Sequence, residues 1–554
     1  MSTDGETEQT SDGERHRSAP ARLAVRLRRR FGELRSAVRR HPETTALAVA
    51  AVALSAYVIA GPLGASAYPM MTDMPFHTAQ AAVLRHYLDP AWHFREQFTL
   101  QPFAVPYLSS YLIAAALMTV LPAVTAMKVA IFVMLGLLPA GLAVLCWGMR
   151  KAPLLGLTGL GFVWCGLTSW GFVNFVGALG LFAMAVGLSL RLLDRPSRRL
   201  QWLLAIALVA LFFTHVFRFP FAVAAVVGSA VVTYPATKRW RPIVAPLVAP
   251  LGLFAIWWWV RPSAIASDFG PMSMDWSRLD RAGTFLFGSL RDPAETDGAA
   301  FAGAMLAAVA AITLGVAIVQ GRLSHGDRRR WAWTIGATLV PLCSAAIFLW
   351  LYLSLPMQIG IWWYVFPREI TAASFVALGA LPDLPRQRWF RGAFILAVAV
   401  AVVPMSRLVS SHWRAFHDST RDFDAIVTHI PQAPKLLYLV FDHTGTRAVH
   451  TPFIHLPAYV QADRGGWLSF HFATWGASPV VYRSPDEPDA VIPPATPLRW
   501  EWTPQRFRVE QHGPFFDWFL VRRRTAPDRL FRRDTTIERV AHEGTWWLYR
   551  RAAD

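Results

Sequence analysis

Between positions 44 and 408 the chain alternates apolar runs of 18 to 25 residues with short polar breaks. Runs of that length match the hydrocarbon core of a bilayer crossed by a helix. A closed barrel would show alternating segments of about ten residues instead, and these runs do not alternate. The candidate spans are 44–66, 103–121, 124–148, 153–170, 172–192, 201–217, 218–236, 242–260, 299–320, 331–354, 367–382 and 392–408. Three breaks are long enough to form loops, at 67–102, 261–298 and 355–366, and no further span follows Val409. The pattern predicts a mainly α, polytopic transmembrane helix bundle over 44–408, with a small C-terminal domain of α/β or α+β type over 409–554.

Within that domain the strand period takes over. PKLLYLVFD (434–442) reads as a buried strand, and AYVQADRGG (458–466) as a helix closed by glycine. WLSFHF, SPVVYR and FFDWFLVRR follow as strand-like runs, and IERVAHEGTWWLYRR reads as a hairpin turning at Glu543-Gly544. The domain holds no glycine-rich phosphate loop and no serine elbow, and His443, His450, His455 and His471 lack zinc spacing. It reads as an aromatic-cored support.

Composition agrees with the membrane reading. Of the residues, 54% are hydrophobic and 16% charged, against about 25% charged in soluble proteins. The net charge of +18 is clustered between apolar runs, at Arg29-Arg30, Arg150-Lys151, Arg198-Arg199, Lys238-Arg239 and Arg328-Arg329-Arg330. Such clusters mark cytoplasmic loops rather than a nucleic-acid surface. The three cysteines fall inside apolar runs and indicate no redox compartment. Residues 1–43 read as a disordered acidic head followed by a basic cytoplasmic stretch, Arg15 to Arg40, lying against anionic lipid. The first apolar run is expected to be a retained signal anchor.

Charge also sets sidedness. With the N-terminus inside, the loops 67–102, 261–298 and 355–366 fall outside, as does the C-terminal domain. Twelve crossings cannot join an inside start to an outside end, so eleven or thirteen are expected, with the discrepancy between 103 and 152. The segment 153–190 carries eight glycines, which permit close helix contacts in lipid. No internal repeat is visible, which disfavours a transporter built from inverted halves.

Polar residues gather on the outer face. The stretch TDMPFHTAQ places Asp73 and His77 just beyond the first span, four apart and on one face if helical. No Lys or Arg lies within ten residues of Asp73 on either side. An isolated carboxylate with an imidazole beside it suits a base or a metal ligand. Asn174, His215, Arg218, Arg368 and Glu369 return to the same face. Each has a structural alternative: Arg218 as an interfacial anchor, Arg368 and Glu369 as members of ion pairs, His215 and Asn174 as helix-to-helix hydrogen bonds.

This layout resembles the GT-C superfamily of integral membrane glycosyltransferases: a first span, an outer loop with an early acid, many spans, and an outer C-terminal domain. The resemblance covers nearly the whole chain and implies a lipid-phosphate sugar donor and inverting transfer outside. It implies Asp73 as the catalytic acid-loop residue, and the four-residue spacing adds His77 as its catalytic neighbour. Arg218 or Arg368 would hold donor phosphate, with Asn174, His215 and Glu369 near substrate. Asp-Met stands where some branches carry acid pairs, so a divalent cation is left open as cofactor. The implied partners are the lipid-linked donor, membrane lipids and a glycan, lipid or protein acceptor. The implied location is the cell inner membrane. The rivals are a flippase for lipid-linked glycans and a non-catalytic envelope-assembly protein.

Overall fold

The computed structural model describes residues 42–261, 272–320, 327–443, 451–476, 478–496 and 499–552. The expected N-terminal tail lies outside these residues apart from its last two positions, as does part of the loop 261–298. Among the described residues, eight helices are long and apolar enough to cross a membrane. They include α1 (Pro42–Gly64), α4 (Ala123–Gly148), α5 (Val173–Asp194), α10 (Arg328–Ser354) and α12 (Arg388–Asp418). The helix α6 (Arg198–Thr214) has 17 residues, about 25 Å at the α-helical rise.

Three of the twelve candidate spans are not long helices. Over 103–121 the chain forms only the nine-residue α3 (Ser109–Leu117), too short to cross, and the Leu108 amide bonds the Phe213 carbonyl at the end of α6. The expected span over 103–121 is thus not a membrane-length helix. The segment 153–170 passes along α4 without being a continuous α-helix. It is a 3-10 helix over Pro153–Phe162 followed by Gly166–Trp170. Ten residues at the 3-10 rise cover about 20 Å. Lys151 Nζ at one end bonds the Gly379 and Leu381 carbonyls, and the Ser169 and Trp170 carbonyls at the other accept from Thr72 and Asp73. The third, α11 (Val365–Ala377), is completed by the 3-10 turn Leu378–Ala380. Beside the eight long helices, α6 and these two interrupted segments are shorter apolar elements of the same bundle.

Glycines set the bundle's tightest contact. A Cβ on Gly141 would stand 1.9 Å from the Gly180 carbonyl oxygen, and one on Gly148 2.1 Å from that of Gly187. Both pairs repeat at seven residues, so α4 and α5 mesh backbone to backbone, the close approach small residues allow in lipid.

Beyond α12 lies a five-stranded sheet in the order β5-β4-β7-β9-β8. Its strands are β4 (Lys435–Val440), β5 (Trp467–Leu468), β7 (Trp518–Arg522), β8 (Ile537–Glu543) and β9 (Trp546–Arg551). β4 pairs in parallel with β5 and β7, and β9 pairs antiparallel with β7 and β8. The β8–β9 hairpin turns at Gly544, φ +54°, as its sequence predicts. The run SPVVYR behaves differently. Its strand β6 (Val480–Tyr482) pairs with β1 (Phe98–Leu100) of the first loop, Phe98 opposite Tyr482.

Two further bonds fasten the loop to the C-terminal region: Gln97 Nε2 to the Gly466 carbonyl at 2.8 Å, and Tyr68 Oη to Asp424 Oδ1 at 2.7 Å. The helix α2 (Met74–His86), which starts beside Asp73, is thereby held between bundle and sheet.

Candidate active site

Pro75 stands in the first turn of α2, where its missing N–H costs nothing. Asp73 occupies the cap position, but its carboxylate makes no capping bond and is left to face outward. Its amide donates to the Trp170 carbonyl at 3.1 Å. Next in the chain, Gly171 has φ +101°, and a Cβ there would lie 3.3 Å from Asp73 Cβ. Only glycine meets both conditions without strain. His77 follows one turn later, its amide bonded to the Asp73 carbonyl and its Nδ1 2.6 Å from Tyr111 Oη. His455 Nε2 stands 3.7 Å from Asp73 Oδ1, beyond hydrogen-bond length.

Burial dominates the electrostatics. It pushes the Asp73 carboxyl up to about 7, against the pull of Arg368 and with a further push from Glu501. It drives His77 down to about 4 and His455 down to about 3, so both imidazoles are neutral near pH 7. Burial also raises Glu501.

Asp73 and His77 line a cavity of about 970 Å³ together with Asn174, His215 and Arg368. Arg218 and Glu369, expected beside them, are not in its wall. Arg218 Nη1 donates to Glu369 Oε2 at 2.7 Å, and Nη2 closes on Oε1. The guanidinium lies 4.6 Å from the Phe175 ring centroid, with Phe221 and Phe348 around it. Arg218 and Glu369, expected at donor phosphate and substrate, are paired with each other inside the bundle instead of lining this cavity.

Arg368 lines the cavity from the bundle side, and Arg499 from the C-terminal region. Arg368 Nε and Nη2 donate to the Tyr364 and Trp363 carbonyls at 3.0 and 2.9 Å, and its guanidinium lies 4.1 Å over Phe172. Among the described residues, no carboxylate pairs with Arg368. His215 is 4% exposed and neither ring nitrogen has a partner; Tyr107 and Phe175 pack edge-on against it. Asn174 lines the wall, yet Oδ1 accepts from the Ser110 amide and Nδ2 donates to the Tyr107 carbonyl, the helix-fastening alternative.

The C-terminal region supplies lining that the sequence reading assigned to support alone: His455, Phe472, Trp475, Ser478, Arg499, Glu501 and Trp502. No spacing links these residues to Asp73. Among the described residues, no group of three or more His, Cys, Asp or Glu is placed to hold a metal.

Among solved structures, the chain is similar to the crystal structure of ArnT from Cupriavidus metallidurans bound to undecaprenyl phosphate. The TM-score is 0.52 over 92% of this chain and 99% of that one, at 13% identity. The fold is ArnT-like. At that identity the likeness concerns architecture alone, and it extends over the bundle and the C-terminal region together. No family model matches the chain, and no curated protein matches it.

Proposed function

We propose that the protein is an integral membrane glycosyltransferase that moves a sugar from a polyprenyl-phosphate donor to an acceptor hydroxyl. The observation that carries this reading is the pairing, in one cavity, of an acid that titrates near neutrality with an arginine lacking a carboxylate partner. The resemblance of the first-loop motif and the architecture of ArnT, solved with undecaprenyl phosphate, support the lipid-linked donor.

In this reading Asp73 takes the proton of the acceptor hydroxyl as its oxygen attacks the anomeric carbon. The bond from that carbon to the donor phosphate breaks, and the phosphate oxygen leaves with the electron pair. Attack opposite the leaving group inverts the anomeric centre. Arg368 meets the charge that develops on phosphate, the role for which a guanidinium's fixed donors are suited. His215, neutral and without partners, offers a second donor. His77 orients the acceptor, and Tyr111 fixes its ring.

The cavity lies outside the cytoplasm in this proposal, with the N-terminus inside and the C-terminal domain over 409–554 outside. The basic clusters support it: Arg150 pairs with Asp194, Arg239 bonds the carbonyl of Asp194, and Arg329 that of Ala236. These contacts gather at the end of the bundle away from Asp73, and cationic loops stay cytoplasmic.

The test is a panel of polyprenyl-phosphate sugars incubated with purified protein in detergent, scored for released polyprenyl phosphate and glycosylated product. Transfer that disappears in Arg368→Gln is expected. Movement of lipid-linked sugar across liposomes without transfer would replace the reading with a flippase.

A further inference from the structure

The cavity is lined from two sources of different chemistry. The bundle and first loop bring the acid, His215 and Arg368, which is held by backbone carbonyls alone. The residues beyond 450 bring two half-exposed indoles, Trp475 and Trp502, at 41% and 40% exposure, with Glu501 between Trp500 and Trp502 in the chain. Among the described residues, Glu501 Oε2 is buried with no hydrogen-bond partner. Gln80, 1% exposed, spends its Nε2 on Ser478 Oγ at 2.7 Å and leaves Oε1 unpartnered. Most buried side-chain polar atoms have a hydrogen-bond partner, so both oxygens are open to a donor that a ligand would bring.

We propose that this C-terminal wall is an acceptor subsite that takes a carbohydrate. The proposal rests on the transferase reading above. A sugar ring offers C–H faces to an indole and hydroxyls to a carboxylate or amide oxygen, and both kinds of partner line this wall. A lipid acceptor would leave Glu501 Oε2 and Gln80 Oε1 unpaired against hydrocarbon. An ammonium acceptor would share the cavity with Arg368 and Arg499. A hydroxyl bound at Glu501 sits in the same cavity as Asp73, whose carboxyl Glu501 pushes upward. The C-terminal region is therefore part of the site: β1–β6 pairing and the Gln80–Ser478 bond hold its wall against the first loop.

The experiment is saturation-transfer difference NMR on the full chain in nanodiscs, with linear hexasaccharides of glucose, mannose, galactose and arabinose as probes. Undecaprenyl phosphate binding is measured on the same samples. Saturable binding of at least one hexasaccharide is expected. Trp475→Ala, Trp502→Ala or Glu501→Gln should weaken it by roughly three- to tenfold, with undecaprenyl phosphate affinity unchanged. Trp475→Phe should keep most of the binding and shows that the wall still folds. Binding of no hexasaccharide, or binding that all three variants leave intact, overturns the carbohydrate subsite. Loss of undecaprenyl phosphate binding alone would instead defeat the donor reading and leave the subsite standing.

Discussion

Arg218 and Glu369 close on each other through two hydrogen bonds, each side chain 5% exposed. That pairing commits one of the two candidate phosphate arginines to the bundle and leaves Arg368 as the one facing the cavity.

Removing one member of a buried pair strands the other charge, at a cost of about 3–5 kcal/mol. Arg218→Met or Glu369→Leu alone should therefore lower the melting temperature in detergent sharply. The double variant should recover much of the loss. A double variant as unstable as the worse single would show that the pair does not act as a unit.

Arg368→Gln should behave in the opposite way. Its folded-state bonds are to two backbone carbonyls, so melting should shift little. Hydrogen bonds to charged groups contribute about 1.5–3 kcal/mol, so affinity for undecaprenyl phosphate should drop about ten- to a hundredfold. Isothermal calorimetry with wild type and variant reads this directly, and equal affinities would remove Arg368 from the donor site.

The base must be ionised to act. With Asp73 raised from 3.8 to about 7 by burial, transfer should climb with pH through about 7 and then level. Asp73→Asn should lose at least roughly 10²-fold in rate and the pH limb with it. Stability runs the other way. A raised folded-state pKa gives stability that is full below 3.8 and lost as pH rises through about 7. Wild type should thus lose melting temperature between pH 5 and pH 8 relative to Asp73→Asn. Parallel melting curves would show that Asp73 is not shifted.

Gly171→Ala tests how the acid is positioned. The substitution forces a side chain into φ +101° and against Asp73 Cβ, which should destabilise by more than about 1 kcal/mol. The Asp73 carboxyl would also be displaced, so transfer should fall further than the folded fraction does. Activity that tracks folded protein one for one would mean the glycine serves only the turn.

Apolar run length and charge placement were enough to identify a polytopic helical membrane protein, while the number of crossings stayed open between eleven and thirteen. Apolar length and the placement of basic loops are one-dimensional properties, and a bilayer reads them directly. The sequence also determined that Asp73 and His77 share a face, because a four-residue spacing in a helix has one outcome. The strand over 435–440 and the hairpin at Gly544 were legible for the same reason. Tertiary structure decided the rest. Arg368 and Glu369 are adjacent in the chain, yet successive helical residues point about 100° apart, so one faces the cavity and the other meets Arg218 from a different helix. The glycine-rich stretch 153–170 lies against α4 largely as a 3-10 helix, Gly156 meeting the Pro139 carbonyl, and nothing in its own composition encodes that contact. The contributions of His455, Trp475, Glu501 and Trp502 to the cavity had no signature at all. Contacts made through β1–β6 pairing join residues hundreds of positions apart, and no periodicity within either segment encodes them.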